Sequence, residues 1–416
     1  MKKLLSLTIC LAMVLSLSNF TITVSGDSNF SGSGTEADPF LISSATDLTK
    51  LATLTNSGST AATYVNKYYQ LTNDIDMSSV ANYVPICYAY EDSTPQNGLG
   101  SGKRFNGTLD GNGHIIKNVT INLSTFSDQS KNGMTAGIIG VMGHNPDDDN
   151  AGGTVKNLGV ENITINTGTK SYPCIGGIAG TMMNRSTITD CYVKVMTVSG
   201  TPASAAKCGG IVGALNADTK ATLTNNYTRT CTFSISDTSS TGGIFGRGID
   251  ASNSGRTVTN CYTTASAKIG GSNTSTIVIT NSYGTSQISS ITVANLGSAY
   301  KNDCFAKQYG YPLLSWEKDL EPNSFTFTLS GSTLTANATV QNYTSASQNV
   351  ILAIAEYDSA STNELTGFQK QSFPVGASAT ASKTCTMTKT AGKTYKAFLW
   401  SEDNFVALDN AITLNY

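Results

Sequence analysis

The chain has 416 residues, of which 13% are charged, and its formal net charge is −2. So small a charge, of acidic sign, favours neither nucleic acid nor anionic membranes as partners. The length is enough for one elongated domain and a smaller second one. With so few charges, the polar surface must come from Ser, Thr, Asn and Gly, which suits repetitive β architecture.

Residues 1–26 are predicted to form a secretory signal peptide. Lys2 and Lys3 precede an apolar stretch over residues 4–17, and small residues follow at 24–26. An apolar stretch this short is typical of a signal peptide and not of a membrane span. No second long apolar run follows, so we expect no transmembrane segment. The mature protein is expected to be secreted, or extracellular and held non-covalently at the cell surface.

An amphipathic helix is predicted next in the chain, beginning after Ser44. Ser44 can serve as the N-cap with Asp47 three residues later, and Leu48, Leu51 and Leu54 share one face. A single helix ahead of a stack of strands can cover the open end of the core and its unpaired strand edge. We therefore predict that it caps the N-terminal end of a repeat region.

A glycine-rich apolar box recurs four times in the middle of the chain, at residues 136–140, 176–180, 209–213 and 242–246. Each box is followed by a second strand-like element, and a fifth such element, residues 279–283, lacks the box. Self-similarity at a fixed period predicts a stack of repeats. Each repeat is expected to contribute three short parallel strands, with the Gly-Gly steps at tight corners where φ can be positive.

Bends between two apolar positions are predicted to align along the stack. We assign six residues to one phase of the repeat: Asn118, Asn157, Asp190, Asn225, Asn260 and Asn281. Side chains of this kind bond to one another and to neighbouring backbone groups. We therefore predict a ladder of hydrogen bonds that ties the repeats together along the axis of the stack.

The chain has nine cysteines, and all but Cys10 lie beyond the predicted signal peptide. An even number in a secreted chain could form disulfides. However, Cys191 and Cys261 occupy one repeat position, where other repeats have Leu158, Asn226 or Ser282. Such substitution is typical of a small buried residue, so we predict mostly free, buried thiols. With no Cys-x-x-Cys pair, zinc binding is not expected.

Four further segments occur in order around the boxes: residues 34–42 (GTEADPFLI), 69–76 (YQLTNDID), 105–116 (FNGTLDGNGHII) and 310–316 (GYPLLSW). Together with the boxes they resemble the GLUG-motif repeat proteins, which are bacterial secreted or cell-surface proteins. The resemblance implies that residues 27–316 form a right-handed parallel β-helix with a surface or extracellular role. GLUG repeats also accompany some large proteases, but this sequence has no His-Glu-x-x-His zinc motif.

The composition changes after the repeats. Residues 317–323 are charged and are predicted to be a linker. Residues 324–416 then show several runs that alternate apolar and polar residues at period two, about seven strands in all. That pattern predicts a small β-sandwich of the immunoglobulin-like or fibronectin-like type. The predicted fold class is thus all-β, with a parallel β-helix, a capping helix and a C-terminal sandwich.

Four tyrosines share one phase of the repeats and are the candidate ligand-binding residues: Tyr192, Tyr227, Tyr262 and Tyr283. They alternate with inward-facing neighbours, so their rings should point outward into solvent. Such a row could stack on an extracellular glycan or anchor a protein ligand. Alternatively, it is an aromatic ladder that packs on itself and stabilises the strands.

Three consecutive carboxylates, Asp147, Asp148 and Asp149, form the candidate metal site. Flexibly spaced hard oxygen ligands could hold Ca²⁺, which is abundant outside cells. The spacing matches no standard calcium loop, and a solvated acidic loop is the alternative. No other cofactor is expected.

Catalytic residues are not assigned. Asp110 and His114 flank a Gly-Asn-Gly turn that a tight corner requires, so we interpret them as structural. Asp74 and Asp76 alternate on one face without an evident basic partner, whereas a glycosidase needs two carboxylates across a cleft. The predicted function is a non-enzymatic, adhesin-like scaffold that binds glycans or extracellular proteins. The alternative is a β-helix carbohydrate-active enzyme, either a polysaccharide lyase or a glycosidase.

Overall fold

The structure is a computed structural model that describes residues 29–89, 104–126, 133–143, 152–183, 185–204, 206–216, 220–248, 255–266, 268–286, 293–301, 312–317, 319–342, 347–358, 364–377, 379–402, 407–409 and 411–415. All structural statements refer to these residues. The predicted signal peptide, residues 1–26, lies outside them. The described fold consists mainly of β-strands, which confirms the predicted all-β class.

The predicted N-terminal helix is confirmed as α1 (Ala45–Asn56), and a one-turn helix, α2 (Ala61–Tyr64), follows it. The hydroxyl of Ser44 accepts a hydrogen bond from the backbone N–H of Asp47 (3.2 Å) and donates one to its carboxylate (2.9 Å). This reciprocal pair satisfies one of the free N–H groups of the first turn. Leu48 and Leu51 are fully buried in the core of the repeat region.

The repeat region contains short strands separated by bends and turns. In chain order they are β1 (Phe40–Ile42), β2 (Tyr68–Leu71), β3 (Ile75–Asp76), β4 (Thr108–Asn122), β5 (Thr135–Ala136), β6 (Ile139–Met142), β7 (Thr154–Asn166), β8 (Cys174–Gly176), β9 (Ala179–Met182), β10 (Thr187–Thr189), β11 (Tyr192–Ser199), β12 (Lys207–Gly209), β13 (Val212–Leu215), β14 (Thr222–Thr224), β15 (Tyr227–Ser234), β16 (Thr241–Gly242), β17 (Phe245–Gly248), β18 (Arg256–Thr259), β19 (Tyr262–Thr263), β20 (Gly270–Ser272) and β21 (Ile277–Thr280).

Successive repeats place equivalent strands side by side in three parallel sheets. The largest sheet runs β1-β2-β4-β7-β10-β14-β18-β21, and β7 continues past a bend into a second row, β11-β15-β19. The other two sheets run β5-β8-β12-β16 and β6-β9-β13-β17-β20. Inward-facing Ile, Val, Leu, Met and Cys side chains from all three sheets form one continuous core. The burial of this apolar surface is the main stabilising contribution.

The glycine boxes bring the backbones of neighbouring repeats into close contact. A Cβ atom on Gly177 would lie 2.6 Å from the carbonyl oxygen of Gly210, and one on Gly210 would lie 2.3 Å from that of Gly243. None of the box glycines is among the described residues with a positive φ. The expectation that they provide corners with positive φ is therefore wrong. They are required because no side chain fits between adjacent repeats.

The predicted ladder of bend residues is present. Five bend residues have φ between 46° and 55°, in the left-handed region that Asn and Asp tolerate best. They are Asn157, Asp190, Asn225, Asn260 and Asn281. Side-chain amides donate along the stack, from Asn225 to Asp190 (2.9 Å), from Asn260 to Asn225 (3.2 Å) and from Asn281 to Asn260 (3.3 Å). The repeats are thus joined by side chains as well as by strand pairing.

Asn118 does not belong to this ladder, so its predicted phase is wrong. It lies on a second ladder, in which it donates to Asp76 (3.0 Å) and accepts from Asn162 (2.7 Å). Asn118 lies between Lys117, opposite Glu161, and Val119, opposite Ile163, and thus at the second bend of β4, whereas Asn157 lies at the first bend of β7. In addition, β4 has three residues between Asp110 and His114 where β7 has one between Lys156 and Leu158. The extra residues in β4 shift every later position relative to the other repeats.

Seven cysteines are described, and all are free and buried: Cys87, Cys174, Cys191, Cys208, Cys231, Cys261 and Cys385. This confirms the prediction for these residues. Burial raises the pKa of the Cys87, Cys231 and Cys261 thiols to about 12. The thiols therefore stay protonated and unreactive near neutral pH. At the position shared by Cys191 and Cys261, the Asn226 side chain accepts a hydrogen bond from the Cys191 N–H (3.0 Å).

The C-terminal strands form two antiparallel sheets around a separate core. After β22 (Tyr300–Lys301) and β23 (Leu313–Leu314), they are β24 (Leu320–Ser330), β25 (Thr333–Asn342), β26 (Gln348–Asp358), β27 (Leu365–Val375), β28 (Thr380–Thr388), β29 (Lys393–Ser401) and β30 (Ile412–Asn415). Their orders are β24-β25-β28 and β27-β26-β29-β30. The predicted linker, residues 317–323, is wrong, because Glu317 is buried and β24 already pairs from Leu320.

The second ladder contains a strained position that offers a test of the bend geometry. Val195 lies opposite Asn162 in register, with φ of 56°, and its side chain is 47% exposed. A β-branched residue is disfavoured in this region, whereas Asn is tolerated. We expect Val195→Asn to raise the free energy of unfolding by about 1 kcal/mol in urea denaturation.

The matched control is Val278→Asn, at a 53% exposed position of β21 that has no positive φ. This variant should show no gain, because Asn is a poorer strand residue than Val. Equal effects of the two substitutions would contradict the role of bend strain.

Candidate functional site

The four predicted tyrosines stand in one row on the outside of the repeat core. Tyr192, Tyr227 and Tyr262 are in direct register on β11, β15 and β19, and Tyr283 forms a bridge with Tyr262. The rings of Tyr192 and Tyr227 are stacked at 5.1 Å, and those of Tyr227 and Tyr262 at 4.8 Å and 5°. The expected outward direction is correct, and the rings pack on one another.

The expectation that the rings face solvent is wrong for three of the four tyrosines, whereas Tyr283 is half-buried. Tyr192 is 3% exposed, and Tyr227 and Tyr262 are 0% exposed. They are covered by residues 293–301 and 312–317, here called the covering segment, which includes helix α3 (Val293–Leu296), β22 and β23. Leu296 and Leu314 of this segment are buried in the same cluster as the rings. A row of buried rings stabilises the fold and cannot contact a ligand while it is covered.

Hydrogen bonds attach the covering segment to the bends of the repeats. The indole N–H of Trp316 donates to the carbonyl of Asp190 (2.8 Å), and the hydroxyl of Tyr300 donates to that of Asn260 (2.8 Å). Both acceptors belong to residues of the first ladder. In addition, the ring of Trp316 stacks on that of Tyr192 at 5.5 Å and 14°. The left-handed bends therefore provide acceptors for the segment as well as links between repeats.

A buried polar network lies beneath the end of the covering segment. Glu317 accepts from the hydroxyl of Tyr227 (2.8 Å), the ammonium of Lys194 (3.0 Å) and the N–H of Leu314 (2.8 Å). The Lys194 ammonium also lies 3.5 Å from Glu161, which accepts from the hydroxyl of Tyr192 (2.8 Å). The same ammonium is 4.1 Å from the centre of the Tyr192 ring. Each charged group thus has more than one partner, as burial requires.

The electrostatics keep this network in one protonation state near neutral pH. Burial raises the pKa of Tyr192 and Tyr227 well above 10.0; the Glu317 carboxylate raises both further, and the Glu161 carboxylate raises that of Tyr192. Burial acts to lower the pKa of Lys194, but Glu317 and Glu161 outweigh it, and the pKa of this lysine is raised. The hydroxyls stay neutral and the lysine stays charged. The pKa of each of these three groups is shifted away from 7, so none of them is suited to exchange a proton near neutral pH.

A cavity of about 140 Å³ lies where the repeats, the covering segment and the C-terminal sheets meet. Its lining includes Asp74 and Lys194 of the repeats, Trp316, and Pro322 and Asp409 of the C-terminal region. Lys194 is already held by two carboxylates. His114 Nδ1 lies 3.1 Å from Asp74. The cavity is therefore a junction between regions, lined by groups with partners inside the protein.

The remaining predicted polar residues are found apart from one another. Asp110 contacts Lys156 at 3.3 Å and accepts from the N–H of Asn112 (2.8 Å), whereas His114 faces Asp74. Asp110 and His114 thus have different partners, which fits a structural corner. The candidate calcium ligands Asp147, Asp148 and Asp149 lie outside the described residues. Within the described ranges, no group of three or more His, Cys, Asp or Glu side chains could hold a metal ion.

No helix among the described residues is long and apolar enough to cross a membrane.

Comparison with known proteins gives only partial similarities. No family model matches the chain. A stretch of 192 residues is 30% identical to Halomucin of Haloquadratum walsbyi, covering 44% of this chain and 2% of Halomucin. β-Glucosidase 3B from Thermotoga neapolitana in complex with glycerol is 13% identical with a TM-score of 0.17, covering 27% of this chain and 19% of its own. β-Glucosidase from Listeria innocua in complex with isofagomine is 16% identical with a TM-score of 0.17, covering 26% of this chain and 18% of its own.

The polar network makes a prediction about the covering segment. Glu317→Ala would leave the Lys194 ammonium and the Tyr227 hydroxyl without their shared acceptor. We expect a loss of roughly 3 kcal/mol in the free energy of unfolding, because a buried pair is broken on one side. The release of the segment should also appear as a change in tryptophan fluorescence.

Glu36→Ala serves as the control for this variant, since Glu36 is an exposed carboxylate that precedes β1 and is not part of the network. Its effect should stay within about 0.5 kcal/mol. If Glu317→Ala unfolds at the same urea concentration as Glu36→Ala, then the network does not hold the segment in place.

Proposed function

We propose that the protein is a non-enzymatic scaffold, secreted or displayed at the cell surface, that binds glycans or extracellular proteins. In this proposal residues 27–316 form a right-handed parallel β-helix of the GLUG-repeat type. The strands from β24 onward form an immunoglobulin-like module that the scaffold presents. The predicted signal peptide supplies the route out of the cell.

The register of the strands supports the β-helix. Equivalent residues of consecutive repeats are direct neighbours in parallel sheets, from Thr187 to Thr222 and from Cys208 to Thr241, for example. Parallel strands joined by crossover connections are right-handed in nearly all known cases, which supports the proposed hand. The two ladders of bend residues are the expected consequence of coils stacked in register.

The C-terminal sheets support an immunoglobulin-like module. Seven antiparallel strands in two sheets share one core. The buried Tyr395 hydroxyl lies 2.6 Å from the N–H of Thr390, from which it accepts, and 3.2 Å from the carbonyl of the same residue. A tyrosine bonded to backbone a few residues upstream resembles the tyrosine corner of immunoglobulin-like domains.

One observation carries the non-enzymatic part of the proposal: six carboxylates of the described repeats and covering segment are held by structural partners. Asp74 faces His114, Asp76 accepts from Asn118, Asp110 contacts Lys156, Asp190 accepts from Asn225, and Glu161 and Glu317 share Lys194. A glycosidase instead needs two carboxylates that face the scissile bond across a cleft. These acidic groups serve the fold.

Binding and turnover can be separated in one experiment on the whole secreted protein. The protein would be applied to arrays of glycans and extracellular-matrix proteins, once with calcium and once with a chelator. The same polysaccharides would be incubated with the protein and assayed for new reducing ends and unsaturated products. We expect binding without products. Accumulation of either product would instead establish the β-helix enzyme, and no binding to any array would overturn the scaffold proposal.

A further inference from the structure

The outer face of the sheet β27-β26-β29-β30 has an unusual composition. Ile351, Ala353 and Ala355 of β26 are at most 3% exposed, although they point away from the core between the two sheets. They are shielded by Trp400 and Phe398, which lie directly opposite Ile351 and Ala353 in register. A floor of small residues therefore supports large rings on the outside of the module.

The two rings form an ordered platform. The rings of Phe398 and Trp400 on β29 are stacked on each other, with ring centres 4.9 Å apart and planes at 26°, so that each keeps one outer face for a ligand. Neither ring belongs to the inner core, and both keep part of their surface exposed. Phe368, which is opposite Ala355 on β27, is 44% exposed. Because the rings already hold each other in place, a ligand that stacks on them orders few side chains.

Two lysines lie on the same face. Lys370 is opposite Ala353, and Lys396 is opposite Ala355, so both adjoin the aromatic platform. The Lys396 ammonium is 5.4 Å from the centre of the Tyr357 ring. Lys370 is exposed and Lys396 half-buried. A cationic face is distinctive here, because the chain as a whole has a net charge of −2.

Two described acidic side chains near this face have partners, and one of them, Glu402, lies beside Ile351 through its bond to Ser372. Glu402 accepts a hydrogen bond from the hydroxyl of Ser372 (2.9 Å), and Asp358 lies 3.9 Å from the ammonium of Lys393. None of the described residues directly opposite Ile351, Ala353 or Ala355 is acidic. The part of the face around Ala353 and Ala355 therefore combines exposed aromatic surface with positive charge.

We infer that this face binds an acidic polysaccharide, an inference that rests on the proposed glycan-binding function. The apolar faces of sugar rings would stack on Trp400 and Phe398, and the carboxylate or sulfate groups would pair with Lys370 and Lys396. A flat sheet surface suits an extended polymer. Two separate lysines act as point charges for separate anionic groups, whereas a fixed planar anion would favour arginine.

The test uses the whole protein in affinity electrophoresis against polygalacturonate, heparin and neutral dextran, with polyglutamate as a non-sugar polyanion. We expect retardation by at least one acidic polysaccharide, weakened by salt, and little by dextran or polyglutamate. Polygalacturonate and heparin distinguish carboxylate from sulfate recognition.

Two variants probe the face separately. Lys370→Gln with Lys396→Gln removes the charges, and Phe398→Ala with Trp400→Ala removes the rings; the latter is checked for an unchanged urea transition. Each should weaken binding about tenfold or more. The control, Lys220→Gln with Lys268→Gln, makes the same charge change at exposed lysines of the repeats and should bind as the unaltered protein does.

The outcomes separate this inference from the function on which it rests. Acidic polysaccharide binding that survives both face variants would overturn the inference and leave the scaffold function intact. Binding of dextran alone, or equal binding of polyglutamate, would do the same. If the charge-only variant weakens binding and the control does not, the inference is supported, even when the ring variant unfolds.

Discussion

The structure depends on the close approach of neighbouring backbones at the glycine boxes. A Cβ atom on Gly213 would lie 2.6 Å from the carbonyl oxygen of Gly180, and the corresponding distances at Gly177 and Gly210 are equally short. Only glycine permits the strands on both sides of each box to pair in parallel with the previous repeat. Because every repeat meets this constraint at the same position, the register of all three sheets is set together.

Everything outside the core follows from that register. Bend residues align, so their side chains can bond along the stack, and the tyrosines of β11, β15 and β19 align, so their rings can stack. The carbonyls of the bends then accept hydrogen bonds from Trp316 and Tyr300 of the covering segment. Glu317 completes the attachment through Tyr227 and Lys194. The repeats thus bury the rings of Tyr192, Tyr227 and Tyr262 under their own chain, whereas Phe398 and Trp400 of the C-terminal module stay partly exposed.

The sequence predicted those features that depend on local pattern, including the capping helix, the phase of the tyrosines, the buried cysteines and the C-terminal strands. It failed where distant segments meet. Nothing in the repeats signals that Glu317 will contact Lys194, because 123 residues separate them. It also failed where two bends follow similar short sequences, because Lys117-Asn118 lies at the second bend of β4 and Lys156-Asn157 at the first bend of β7. The sequence predicted a strand at Phe398 and Trp400 but not their stacking on an exposed face, because it does not show which residues lie opposite them in the sheet.

The claim that backbone contact sets the register is tested most directly by adding one methyl group between two repeats and measuring the stability of the protein. Gly210→Ala places a Cβ 2.3 Å from the carbonyl oxygen of Gly243, whereas nothing lies within 4 Å of a Cβ at Gly58. In urea denaturation of the whole protein, Gly210→Ala should lose at least about 2 kcal/mol in the free energy of unfolding, or fail to fold. Gly58→Ala should remain within about 0.5 kcal/mol of the unaltered protein. Equal stability of the two variants would contradict the claim that backbone contact between repeats sets the register.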